Sequence, residues 1–201
     1  MIPNILPTSE ELRKARQVFL EHEPRDLFYM VASELIELAV EKKTEITLAE
    51  ALAVLLQTWN RAYYQFRRFD NQHFSDISSL VANYAQALFE YRKRSILSFA
   101  EDDIPKVKEI FNAFEEVVGP VGASKSLHLL APGFFPLWDR RIASTYGSGL
   151  GPVGTNAMNY CRFMSCAKEQ YASVKGQLPE SENPLKSIDE YNYCRYTKGW
   201  L

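Results

Sequence analysis

The chain has 201 residues, of which 46% are hydrophobic and 24% charged, and its formal net charge is −2. This composition is typical of a globular protein that can bury a core of its own. No stretch approaches the roughly 18 consecutive apolar residues of a membrane span, and the first residues lack the pattern of a secretory signal. Three cysteines, an odd number, argue against a disulfide framework. We therefore expect a cytoplasmic protein that has no membrane partner.

Helix signals dominate the first half of the chain. Thr8 with Glu11, and Thr47 with Glu50, have the spacing of capping boxes, and a helix is expected after each pair. In the segment between them, one apolar stripe is expected to face the core, formed by Leu27, Val31, Leu35 and Leu38. In the segment after Thr47, a second apolar stripe is also expected to face the core, formed by Leu48, Leu52, Leu55, Trp59, Ala62 and Phe66.

Further helices are predicted at about 74–95, from 103 to about 118, and at about 156–175. A polar loop, GQLPESENP, and a last helix within NPLKSIDEYNYCRY follow. No alternating strand pattern persists, so the predicted class is all-α, a single multi-helix domain over 1–201. We divide it into a helical N-terminal lobe (1–118), a central hairpin and site (119–147) and a C-terminal helical segment (148–201).

The central segment GPVGASKSLHLLAPGFFPLWD carries the strongest functional signal. Gly119 and Gly122 favour a tight turn between two helices, whose backbone amides could bind an anion. Lys125 is expected in the first turn of the second helix, where the helix dipole would lower the pKa of its amine. Asp139 is expected to cap the next helix. Taken singly, each charge is more often structural than catalytic.

This segment resembles the core of the helix-hairpin-helix DNA glycosylases, a superfamily with a glycine-bounded hairpin, a lysine in the following helix and a later aspartate. The resemblance implies Lys125 as a nucleophile that attacks the sugar C1′ and forms a Schiff base. It implies that Asp139 is the carboxylate that supports the charge developing on the sugar, and that the Gly119–Gly122 turn binds a DNA phosphate. Beside them we take four residues as further candidates for DNA contact: Ser124, His128, Trp138 and Arg140.

The resemblance also bears on cofactors. A monovalent cation is the one ion it implies, at the hairpin. Cys161, Cys166 and Cys194 are too few for the four-cysteine iron–sulfur loop of some members, and no other cofactor or metal is expected. The two cysteines that lie five apart are expected to be buried free thiols.

The sequence is compatible with three functions. The first is a DNA-repair enzyme, a glycosylase with abasic-site lyase activity acting on duplex DNA. The second is a non-catalytic DNA-binding module, favoured by the Gly-Pro-Val-Gly turn and the short spacing between Lys125 and Asp139. The third is a helical interaction or scaffold protein, which suits the acidic first 120 residues, with 14 Lys and Arg against 19 Asp and Glu.

Aromatic residues cluster near the C-terminus, at Tyr191, Tyr193, Tyr196 and Trp200. We favour a C-terminal segment docked on the body of the protein. A wall that stacks bases beside the site is the alternative.

Overall fold

The computed structural model describes residues 6–179 and 182–201, and this part of the chain is entirely helical apart from its connections. Residues 1–5, and residues 180–181 of the expected polar loop, lie outside it. The nine α-helices of the described part are α1 (Ser9–His22), α2 (Asp26–Val40), α3 (Leu48–Trp59), α4 (Arg61–Tyr64), α5 (Asn71–Arg92), α6 (Ile104–Leu130), α7 (Arg140–Thr145), α8 (Ala157–Val174) and α9 (Pro184–Asn192). A π-helical segment, Tyr193–Lys198, follows α9. The predicted all-α class is confirmed.

Local signals placed most helix starts correctly. Both capping boxes form, with the Thr8 and Thr47 hydroxyls accepting from the amides of Glu11 and Glu50 at 3.2 Å. α6 begins at Ile104 with a proline in its first turn, as expected. Hydrogen-bonding side chains at helix starts therefore carried reliable information about the fold.

Helix α6 is the centre of the fold, because it packs against α2, α3, α4, α5 and α8. It is interrupted only at Gly119, whose φ of 74° and ψ of 167° are not helical, and the helix resumes at Pro120. The interruption is thus shorter than the predicted turn from Gly119 to Gly122. From 122 to 130 every residue is buried except Lys125, which is partly exposed.

Both predicted core faces are correct only in part: Leu52 and Leu55 are buried as predicted, but each face includes exposed residues. Leu27 and Val31 are 58% and 44% exposed, whereas α2 buries Ala32 and Ile36 against α3 and α6. The sequence of α2 is apolar on several faces, so more than one stripe fitted it. Phe66 is 92% exposed because α3 ends at Trp59 and the short α4 ends before it.

The first α-helix packs against the last α-helix and the segment that follows it. α1 packs against α9 and the π-helical segment, and Tyr191 is buried between them with Leu12 and Ala15. The C-terminal segment is therefore docked, as favoured from the sequence. No helix in the described ranges has the length and hydrophobicity needed to cross a membrane.

Gly119→Ala should destabilise the protein strongly. The backbone of Gly119 lies in a region that only glycine adopts readily, and an added Cβ would lie 2.9 Å from the Tyr63 ring. Gly147→Ala is the matched control, because Gly147 also has a positive φ, of 67°, but nothing within 4 Å of the added atom. We expect losses of about 3 kcal/mol for Gly119→Ala and about 1 kcal/mol for Gly147→Ala in urea unfolding. Equal losses would mean that Tyr63 moves aside freely.

Candidate functional site

A cavity of about 200 Å³ lies where α1, α3, α6, α9 and the loop before α7 meet. Its lining combines aromatic rings with five charged side chains: Phe19, Glu23, Arg25, Trp59, Lys125, Leu137, Trp138, Asp139, Asp189 and Tyr193. The cavity is smaller than the ~300–1,000 Å³ typical of pockets for drug-sized ligands. It therefore suits a small group or one part of a larger ligand.

Ser124 brings Lys125 and Asp139 to this cavity. Its hydroxyl donates to the carbonyl oxygen of Trp138 at 2.9 Å and accepts from the Trp138 amide at 3.2 Å. Since Lys125 follows Ser124 and Asp139 follows Trp138, both side chains line the same cavity. Ser124 itself is fully buried, so its observed contacts are within the protein.

His128 fastens the same loop one helical turn further along α6. Its Nδ1 lies 2.8 Å from the Phe135 carbonyl oxygen, and its Nε2 lies 2.9 Å from the Tyr29 hydroxyl. The carbonyl can only accept, so Nδ1 carries the proton and Nε2 accepts from Tyr29. Burial lowers the pKa of His128 to about 4, which keeps the ring neutral. The structure places this ring in the core rather than in the cavity lining.

The Lys125 ammonium contacts the C-terminal end of α3. Its Nζ donates to the carbonyl oxygen of Trp59 and lies 4.6 Å from the centre of the Trp59 ring. Burial lowers the pKa of Lys125 to about 8, and the negative charges of Asp189 and Asp139 oppose the shift. The expected dipole effect is not the cause, because the helix restarts at Pro120 and Lys125 lies beyond its first turn.

Asp139 is the N-cap of α7, as predicted. Its Oδ1 accepts from the Ile142 amide at 2.7 Å, and its Oδ2 accepts from the Thr197 hydroxyl at 3.0 Å. These bonds fix the carboxylate at the cavity wall, between α7 and the π-helical segment. Asp139 thus combines a structural role with a place in the site.

Asp189 is a site residue that the sequence analysis missed. It belongs to α9, is 9% exposed and lines the cavity with Lys125 and Asp139. Burial raises its pKa to about 7, against the attraction of Lys186. No local motif marks it, since it is 50 residues beyond Asp139 and reaches the site only through the packing of α9.

A hydrogen-bonded group closes another part of the cavity. Arg25 donates to both oxygens of Glu23 at 2.6 Å, and the Tyr193 hydroxyl donates to Glu23 Oε2 at 2.6 Å. The hydrogen bonds from Arg25 hold the pKa of Glu23 down at about 2. These three residues satisfy one another and connect α1 to the C-terminal segment, so a structural role accounts for them.

The remaining candidates differ in accessibility. Gly119 and Gly122 are buried, and a Cβ on Gly122 would lie 2.8 Å from Asn60 Nδ2. Tyr63 covers Gly119 in the same way, so the observed packing does not favour access of a phosphate to this turn. Trp138 is buried but lines the cavity, and Arg140 is exposed directly after Asp139.

The cysteines are free thiols, and Cys161 and Cys194 are buried. Within the part of the chain that the structure describes, no group of three or more His, Cys, Asp or Glu side chains has an arrangement that could hold a metal ion.

No family model, curated protein or solved structure matches this chain. The function is therefore inferred from the residues of the cavity and their contacts.

Ser124→Ala should destabilise the protein by about 2 kcal/mol, because it leaves the buried backbone amide and carbonyl of Trp138 without their partner. Ser126→Ala is the control: Ser126 is also buried on α6, but its hydroxyl has no partner among the described residues. Its loss should change the free energy of unfolding by less than about 0.5 kcal/mol. Urea unfolding of both variants measures the difference, and similar losses would remove the special role of Ser124.

The raised pKa of Asp189 predicts a pH-dependent stability. The folded protein keeps a proton on Asp189 up to about pH 7, whereas the unfolded chain loses it near 3.8. Stability from this residue is therefore present below about pH 4 and lost as the pH rises to 7. Asp189→Asn should be more stable than the wild type by about 4 kcal/mol at pH 7.5 and nearly equal to it at pH 4. A pH-independent difference in urea unfolding would contradict the shift.

Proposed function

We propose that the protein is a DNA-processing enzyme of the glycosylase and abasic-site lyase type. In this proposal Lys125 attacks the sugar C1′ to form a Schiff base, and Asp139 supports the positive charge that develops on the sugar. The observation that carries the proposal is the convergence of Lys125 and Asp139 on one aromatic-walled cavity. Wide separation of the two groups would instead have favoured the non-catalytic DNA-binding module.

The state of the amine supports the nucleophilic role. An ordinary lysine with a pKa near 10.4 has only about one neutral amine in 2,500 at pH 7. With its pKa lowered to about 8, roughly one Lys125 side chain in ten is neutral at that pH. Only the neutral amine has the lone pair that attacks carbon, so burial activates this lysine.

The cavity walls suit a planar group taken out of a base stack. The rings of Phe19, Trp59, Trp138 and Tyr193 contribute to the lining, and aromatic faces stack on bases. Asp139 lies on the same lining, so a sugar beside the amine would also be near a negative charge. Such a charge stabilises a cationic sugar more strongly in a buried site than in water.

Positive charge lies next to the cavity on exposed residues. Arg140 follows Asp139, and the Nζ of Lys198 lies 5.6 Å from the ring centre of Tyr193, a lining residue. In the described part of the chain neither cation takes part in an ion pair. We assign the phosphate contacts to these cations in preference to the covered glycine turn.

The proposal is tested by borohydride trapping on a duplex that carries one abasic site. The wild type should give a covalent adduct, and Lys125→Ala should give none, because the imine nitrogen is lost. Lys168→Ala is the matched control: Lys168 is also partly buried and donates to a backbone carbonyl, that of Phe99, but it does not line the cavity. This variant should trap as the wild type does.

Asp139→Asn separates charge from capping in the same assay. Asparagine is as good an N-cap as aspartate, so α7 should be retained while the negative charge is lost. We expect trapping to slow at least about tenfold, a modest value for a buried charge that stabilises a cationic intermediate. An unchanged rate would remove Asp139 from the chemistry, and a wild type without adduct would contradict the function as a whole.

A further inference from the structure

One carboxylate of the cavity has no part in the function just proposed. Asp189 lines the cavity beside Lys125, is more than nine-tenths buried, and accepts no hydrogen bond from a donor within residues 6–179 and 182–201. A buried carboxylate without a donor is costly, and buried polar groups are normally satisfied. We propose, as an extension of the proposed function, that Asp189 is a catalytic residue that carries protons to and from Lys125 and its carbonyl substrate.

The fold presents this carboxylate to the cavity and holds it there. Asn183 caps α9 by accepting from the Leu185 amide at 2.9 Å, and residues 185–192 are all buried, so the helix cannot easily turn. The neighbouring Glu190 is engaged elsewhere, with Arg16 and with Lys186 at 3.0 Å. The Asp189 carboxylate takes no part in these ion pairs and lines the cavity.

The charges around Asp189 set its protonation. Lys186 and Glu190 act on it from α9, Asp139 from the N-terminus of α7, and Lys125 from α6. Burial, helped by repulsion from Asp139 and Glu190, outweighs the attraction of the two lysines and raises the pKa of Asp189 to about 7, close to the value of about 8 for Lys125. A proton can therefore pass between the two groups in either direction at nearly equal free energy, as a general acid–base residue requires.

Asp139 is less suited to carry the proton. Both of its oxygens already accept hydrogen bonds, from Ile142 and Thr197, and these bonds also hold α7 and the π-helical segment. Asp139 is a fixed acceptor, whereas Asp189 has its acceptor sites open. Asp139 therefore stabilises the positive charge on the sugar, whereas Asp189 transfers protons.

Formation of the Schiff base involves two proton transfers through Asp189. The Asp189 carboxylate takes one proton from the Lys125 ammonium, and the neutral amine attacks the aldehyde carbon of the opened sugar to give a neutral carbinolamine. The Asp189 carboxylic acid then returns that proton to the carbinolamine hydroxyl, which leaves as water while the nitrogen lone pair forms the iminium. Asp189 ends as the carboxylate, so ammonium and aldehyde have become iminium and one water.

The sign of the effect of Asp189→Asn distinguishes this role from one in which Asp189 only raises the pKa of Lys125. The negative charge of Asp189 raises the pKa of Lys125. If its charge acted only by raising the pKa of Lys125, removing it would give more neutral amine and faster trapping at pH 7. A proton carrier predicts the opposite: slower trapping by about tenfold to a hundredfold at pH 7.

The experiment is single-turnover borohydride trapping from pH 5.5 to 9, with the abasic duplex and separately with salicylaldehyde, which needs no DNA contact. Lys125→Ala gives the background for each probe. We expect the wild-type rate to rise with pH around 7, and Asp189→Asn to be slower at every pH, with only the rise that ionisation of the Lys125 amine itself produces. Asp189→Ala should be slow as well, and added formate should restore part of its rate by replacing the carboxylate.

The outcomes separate the two proposals. If the wild type traps either probe and Asp189→Asn is as fast or faster, the role of Asp189 is overturned and that of Lys125 is retained. If the wild type traps salicylaldehyde but not the abasic duplex, and Asp189→Asn is slower, the DNA function fails while the Asp189 role stands. If the wild type traps neither probe, both proposals fall.

Discussion

The candidate site depends on the pair of hydrogen bonds between the Ser124 hydroxyl and the backbone of Trp138. These bonds join the centre of α6 to the loop before α7, and His128 repeats the connection one turn later through the Phe135 carbonyl. Serine and histidine four residues apart lie on one helix face, so a single face of α6 holds the whole loop. Lys125, next to Ser124, is the position of this buried segment that keeps access to the cavity.

Burial shifts the pKa values of the charged groups in this cavity and also makes those groups costly for the stability of the fold. An amine and a carboxylic acid in a poorly solvated cavity are both disfavoured in their charged forms, which moves their pKa values toward each other. Nearby, Lys186 forms ion pairs with Asp26 at 2.9 Å and Glu190 at 3.0 Å, with its Nζ 4.2 Å from the ring centre of Phe19. That cluster ties α9 to the N-terminal helices, whereas Lys125 and Asp189, in the part of the chain that the structure describes, line the cavity without forming an ion pair.

The sequence predicted what is decided locally. Capping boxes, the proline at the start of α6, the interruption at Gly119 and the cap at Asp139 each depend on residues within one helical turn of one another. The buried face of α2 depends on which neighbours it meets, and its apolar pattern fitted several faces, so Leu27 was placed wrongly. Asp189 could not be found from spacing, because it reaches Lys125 through the contact of α1 with α9, the two ends of the chain. The lowered pKa of Lys125 was expected, but its cause is burial, which a sequence does not display.

Two acidic residues of the first half of the chain are buried and neutralised within the fold, which reduces the conflict between this acidic half and a DNA-processing site. Glu23 is paired with Arg25, and Asp26 with Lys186, so neither carboxylate presents an uncompensated charge to a ligand. In the described residues, Arg140 and Lys198 keep their charges unpaired beside the cavity. The field that a phosphate meets is set by such local charges within a Debye length of about 10 Å more than by the net charge of the chain. A net charge of −2 therefore carries little weight against binding of an anionic polymer at this one face.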